Sequence, residues 1–170
     1  MSQLAALCKR WGIEPTPLAK NFSLWMGWAS LTWLAFMLSL LLVEVGERSD
    51  ISVVESLVGG STIGLAQWLV LRPYISQAYR WIVATALSWG ALTLLHIGAL
   101  GWMAPETTNL GVRALLGVLY GAYVGLGLGF GQWLAVRQHI HRAWRWVLLS
   151  SGVWAVSMAL GWIVGGMLRT

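Results

Sequence analysis

The sequence predicts an all-α integral membrane protein of five transmembrane helices, in which one N-terminal span precedes two copies of a two-helix hairpin at 52–103 and 114–168. Three observations predict it. The 170 residues are 58% apolar and 10% charged, against about 25% charged in an ordinary soluble domain. The apolar residues gather into five runs of roughly 20, the length that crosses a hydrocarbon core of about 30 Å. Residues of the second and third runs then recur in the fourth and fifth at a constant offset of 65. A disordered chain, a disulfide scaffold and an ordinary soluble enzyme are excluded, since 11 basic and 6 acidic residues cannot clothe a soluble globule of this size. The single Cys8 forms no internal disulfide. A pI near 10.0 would suggest nucleic acid in a soluble protein, but in a membrane protein basic residues first report topology, and no nucleic acid is expected.

Residues 1–20 are predicted to lie on the membrane surface. Leu4, Leu7, Cys8 and Trp11 fall on one helical stripe with Lys9 and Arg10 off it, an amphipathic pattern. Gly12, Pro15 and Pro17 then bend the chain. A frayed polar tail is the alternative, because helices this short are marginal in water. Residues 21–170 form one bundle, with spans at 23–43, 52–71, 81–103, 114–136 and 146–168. The second is the weakest, with Glu55 in its first turn placed at the headgroups. Met1 is followed by no apolar run with a small-residue cleavage site, so the first span is expected to act as its own insertion signal. With the N-terminus inside, Lys9, Arg10, Lys20, Arg72, Arg80, Arg137, Arg142 and Arg145 share the cytoplasmic side with Glu14. Arg48, Arg113 and Arg169 lie opposite, with the other five acids. Basic flanks face the cytoplasm, so the C-terminus is predicted outside.

The repetition is clearest where Gly64, Gln67, Trp68, Leu69 and Arg72 fall on Gly129, Gln132, Trp133, Leu134 and Arg137, and where Ala78, Arg80, Trp81 and Trp89 fall on Ala143, Arg145, Trp146 and Trp154. A two-span unit keeps its orientation on duplication, so the repeat is parallel. Trp25 and Trp33 share the eight-residue spacing of Trp81 and Trp89, which makes the first span half a unit. This repeated GxxQWLxxR pattern resembles that of small, uncharacterised polytopic membrane proteins of cyanobacterial type. The resemblance covers mainly 60–90 and 125–155. It implies a bacterial inner or thylakoid membrane and carries over no activity and no functional residues.

Gly117, Gly121, Gly125 and Gly129 recur every four residues, a glycine-zipper pattern repeated by Ser56, Gly60 and Gly64 and by Ser157, Gly161 and Gly165. Small residues let helix backbones approach in lipid, where apolar side chains alone give no drive to associate. The same stripes could serve self-association, or a groove for a flat or chain-like lipid. Gln67 and Gln132 sit about 7–8 Å inside the terminal Arg of their helices, and their equivalence across the repeat predicts paired interhelical hydrogen bonds close to a pseudo-two-fold axis, with ligand binding as the alternative. Of 13 Trp, many fall at the cytoplasmic interface as an aromatic belt, whereas Trp33, Trp89 and Trp154 lie deeper and are expected to pack against the glycine stripes or to stack on an isoprenoid or tetrapyrrole. His96 is read as the one histidine inside a span, a satisfied core residue in preference to an axial ligand for haem or chlorophyll. Arg72, Arg80, Arg137, Arg142 and Arg145 are candidates for anionic headgroups, and His139 with His141 makes no metal site.

No catalytic constellation stands at useful spacing, and no enzyme is expected. The leading reading is an accessory, assembly or structural component of a membrane complex, in contact with lipid and able to hold lipid or pigment in its Gly/Trp grooves. The alternative is a small oligomeric transporter or channel for an uncharged solute.

Overall fold

The computed structural model describes residues 17–43, 51–96, 106–140 and 142–168. Among them are five helices and no strand: α1 Pro17–Leu42, α2 Val53–Leu71, α3 Tyr79–Leu94, α4 Leu110–Val136 and α5 Arg145–Met167. The surface segment expected at 2–11 lies outside the described residues, and α1 already opens at Pro17, whose missing N–H costs nothing in a first turn.

Each start has a local cause. Ser52 and Glu55 form a capping box at α2, the serine hydroxyl accepting from Glu55 N at 3.2 Å and the carboxylate from Ser52 N at 2.7 Å. This gives the acid in that span a definite task. Asn109 caps α4 by accepting from Gly111 N and Val112 N. The helices α3 and α5 lack side-chain caps. Each instead follows a turn in which a residue with left-handed backbone, Gln77 or Arg142, both at φ 63°, redirects the chain. The turn bonds correspond pair by pair: Ile75 N to Leu71 O and Ile140 N to Val136 O at 3.1 Å, Arg80 N to Gln77 O and Arg145 N to Arg142 O at 3.0 Å.

Among the described residues four helices are long and apolar enough to cross a membrane: Phe22–Leu42 within α1, and α2, α4 and α5. At 16 residues, α3 falls short of the roughly 20 a span requires. The span expected at 81–103 ends as a helix at Leu94, and 97–105 lie outside the described residues. His96 is therefore corrected from a core position: it stands beyond the helix end, exposed, with φ 57°.

The helices pack antiparallel in chain order, α2 on α1 and α3, and α4 on α3 and α5. A Cβ on Gly64 would lie 3.0 Å from Ile82 Cα, and one on Gly60 would lie 3.0 Å from Ala86 Cα and 2.9 Å from the Trp89 ring. On α4, a Cβ at Gly129 would lie 2.9 Å from Val147 Cα, at Gly125 2.5 Å from Ser151 Cα, at Gly121 2.7 Å from Ala155 Cα and at Gly117 2.6 Å from Ala159 Cα. Gly161 and Gly165 differ from expectation, with nothing within 4 Å. They lie on the outer side of α5, and Gly166 is the glycine that packs there, against Arg113. Arg113 is likewise corrected from a flanking charge to a buried one, its Nε donating to Thr107 O at 2.6 Å and Nη1 to Trp162 O at 3.2 Å. The buried set mixes small and polar residues with a few large ones such as Trp81, Trp89, Leu92, Leu128 and Trp162, while many large apolar side chains, among them Leu41, Leu87 and Leu160, point outward. That distribution suits a lipid solvent.

Candidate binding groove between the first and last helices

Three indoles meet at the loop end of the bundle. Trp28 of α1, Trp81 of α3 and Trp146 of α5 touch pairwise edge to face, with centroids 5.6, 5.7 and 5.5 Å apart. Edge-to-face contact matches the positive ring edge to the negative ring face. The α1 member is Trp28; Trp25 and Trp33, singled out by their spacing, are exposed.

The two glutamines bridge the helices that carry these rings. Gln67 accepts from Trp81 Nε1 at 2.8 Å and donates toward Thr32 Oγ1 of α1 at 3.4 Å. Gln132 accepts from Trp146 Nε1 at 2.8 Å and donates to Thr85 Oγ1 of α3 at 3.1 Å. The interhelical hydrogen bonds expected of the two amides take the form of two matching bridges, each joining the indole of the following helix to the hydroxyl of the preceding one. The cause is depth: every amide lies level with an indole N–H that has no water to bind. Ser150 stands on α5 where Thr85 stands on α3 and Thr32 on α1, each four residues beyond its triad indole.

Among the described residues no helix intervenes between α1 and α5, and a cavity of about 600 Å³ opens there. Its walls include Trp28, Thr32, Trp33 and Phe36 on one side and Trp146, Ser150, Val153 and Trp154 on the other, with Gln67, Thr85, Trp89 and Gln132 behind. A second cavity of about 500 Å³ adjoins it toward the loops, sharing Trp25, Trp28, Trp146 and Leu149 and bounded by Arg142 and Arg145. Together they make one groove from the basic loops toward the bundle interior. Deeper in, Trp89 and Trp154 meet edge to face at 5.6 Å over Leu92, Val124 and Leu128.

The basic residues divide. Arg72 and Arg137 lie over Trp68 and Trp133 at 5.4 and 5.5 Å, a cation–π arrangement. Arg80 borders a shallower cavity of about 570 Å³ between α3 and α4. Of the five arginines named as headgroup candidates, Arg142 and Arg145 reach the α1–α5 groove. Among the described residues no three His, Cys, Asp or Glu side chains gather as a metal site. Thr32, Thr85, Ser150 and Trp28 escaped the sequence reading. An offset of 53, which sets Trp28 and Thr32 on Trp81 and Thr85, was the available signal. No protein-family model, curated protein or solved structure matches the chain.

Proposed function

We propose that this is a non-enzymatic membrane bundle, an accessory or structural component of a membrane complex, that holds a lipid-like chain in the groove between α1 and α5. The aromatic lining of the 600 Å³ cavity carries the reading, because an apolar, indole-walled slot opening sideways accepts a hydrocarbon chain directly from the bilayer. Catalysis is disfavoured because the polar groups behind the slot, Gln67, Thr32, Gln132 and Thr85, are already bonded across helices. A tetrapyrrole on His96 is disfavoured by its exposed place past α3. Five crossings remain the proposed topology, since α3 runs beside α2 from the Gln67–Trp81 bond to the Ser56–Thr93 bond, nearly the full depth of a helix that is long enough to span. A duplicated hairpin is the proposed origin, supported by the matched turns, bridges and glycine contacts. The N-terminus is placed inside because both basic loops occupy one end.

Native mass spectrometry of gently extracted protein tests the binding reading. Lipid or isoprenoid masses retained after detergent exchange are expected, and a protein released bare would refute it. The transporter alternative rests on the hydroxyls of Thr32 and Ser150 along the same cavity, and flux of an uncharged solute in proteoliposomes would favour it.

A further inference from the structure

The three indole-bearing helices define three seams, and two are closed alike. Gln67 joins Thr32 to Trp81 and Gln132 joins Thr85 to Trp146. In the third seam Ser150 and Trp28 hold the matching positions, and neither hydroxyl nor indole N–H forms a hydrogen bond among the described residues. Both residues line the groove. A donor pair at this depth needs an acceptor, because hydrocarbon supplies none.

The geometry points to an acyl lipid with an anionic phosphate headgroup as that acceptor's source. Its ester carbonyl accepts from Trp28 Nε1 as a glutamine oxygen accepts from the indole in the other two seams, and it accepts from Ser150 Oγ where the glutamine nitrogen instead donates to a threonine. This rests on reading the groove as a lipid site and names the class of lipid. Three observations fix the class. Arg142 and Arg145 stand at the groove's loop end, and Arg145 precedes Ser150 by five residues, about 7.5 Å along a helix. That is comparable to the spacing of phosphate and ester carbonyl across a glycerol backbone. Beyond Ser150, Trp33, Phe36, Val153 and Trp154 line the course of an acyl chain. The α1 wall also argues against a sixth helix in this seam. Where α3 and α5 offer Ile82 with Ala86 and Val147 with Ser151 to the glycine backbones, α1 offers Ala29 between the indoles of Trp25 and Trp33, which hold a neighbouring backbone away and leave room for a chain. Nor does a second copy of this chain supply the bridge: Gln67 and Gln132 are the only carboxamides within the apolar spans, and both are engaged.

The test is competitive retention, read by native mass spectrometry on delipidated full-length protein. The probes are dioleoyl phosphatidylglycerol, its dialkyl ether analogue, dioleoyl phosphatidylcholine and a polyprenyl phosphate. The ester phosphatidylglycerol is expected to bind about threefold to tenfold more tightly than the ether form, the value of one or two hydrogen bonds. Trp28→Phe keeps a ring in the triad and is expected to erase that preference, the ester and ether lipids then binding equally. Ser150→Ala is expected to weaken the preference and serves if the first variant does not fold. Replacing both Arg142 and Arg145 by Ala is expected to bring phosphatidylglycerol to the level of phosphatidylcholine. Equal retention of ester and ether lipids, a preference for polyprenyl phosphate, or equal loss of both lipids in Trp28→Phe would overturn the ester-carbonyl assignment and leave the groove reading standing. Retention of none of the four would refute both.

Discussion

At the scale of single residues, the chain holds its polar groups in pairs whose loss is uneven. Removing the Gln132 amide strands both the Trp146 N–H and Thr85, whose side chain is buried to 1% exposure. Removing that of Gln67 strands Trp81 and the half-buried Thr32, which it reaches only at 3.4 Å. Gln132→Leu is therefore expected to destabilise by about 1–2 kcal/mol, and Gln67→Leu by less, since interhelical hydrogen bonds in membranes are worth about 0.6–2 kcal/mol. Reversible unfolding in mixed micelles measures both, and equal losses would contradict the asymmetry. Backbone strain offers a gain in the opposite direction. Gln77 adopts φ 63°, a conformation costing a non-glycine residue about 1 kcal/mol, so Gln77→Gly is expected to be neutral or slightly stabilising. A clear loss of thermal stability there would show that the Gln77 side chain contributes to the turn.

At the scale of elements, glycine spacing and glycine role come apart. The rows on α2 and α4 were legible because a four-residue recurrence puts small residues on one helix face, and that face meets the neighbouring backbone. The row on α5 was misread for the same reason: spacing identifies a face without saying what lies opposite, and Gly161 and Gly165 face open space. Gly125→Leu is expected to prevent folding or to lower the melting temperature in detergent steeply, because even a Cβ there would fall 2.5 Å from Ser151 Cα. Leu126→Ala, on an exposed side chain, and Gly161→Leu are expected to change it little. Similar effects from all three would mean that the glycine face of α4 is not a packing face. His96 and Arg113 were misplaced by one cause, the drawing of helix ends from hydropathy alone. Hydropathy neither stops α3 at Leu94 nor starts α4 before Arg113, whose guanidinium finds the carbonyls of Thr107 and Trp162.

At the scale of the whole molecule, the charge distribution sets an expectation for topology: the termini lie on opposite sides, with the loops at 72–78 and 137–144 cytoplasmic. Single cysteines at exposed Gln77 and Gln138 in a Cys8→Ser background should both react with an impermeant maleimide only from the cytoplasmic side. Labelling of one from each face would break the proposed arrangement of α3. The all-helical architecture was legible because apolar runs and backbone self-sufficiency leave few other solutions in lipid. The groove was not, since it arises from which seam lacks a helix, a relation between α1 and α5 that no local pattern records. Only the alignment of Trp28 and Thr32 with Trp81 and Thr85 hinted at it, and the more conspicuous spacing of Trp25 and Trp33 drew the comparison three residues away.

The indole triad has an optical consequence. Three chromophores with centroids 5.5–5.7 Å apart and planes inclined by 64–80° are close enough for their strong ultraviolet transitions to couple, and their arrangement is chiral because the helices around them are. The coupled transitions should produce a couplet in the far-ultraviolet circular dichroism, superimposed on the helical signal, which makes helix content read from that signal alone unreliable for this protein. Because each ring of the triad comes from a different helix, and the Trp89–Trp154 pair also joins α3 to α5, loss of the couplet in Trp28→Phe isolates the contribution of α1 meeting α3 and α5. Its amplitude should therefore collapse on loosening of the bundle while the α-helical bands persist, giving a label-free record of tertiary assembly.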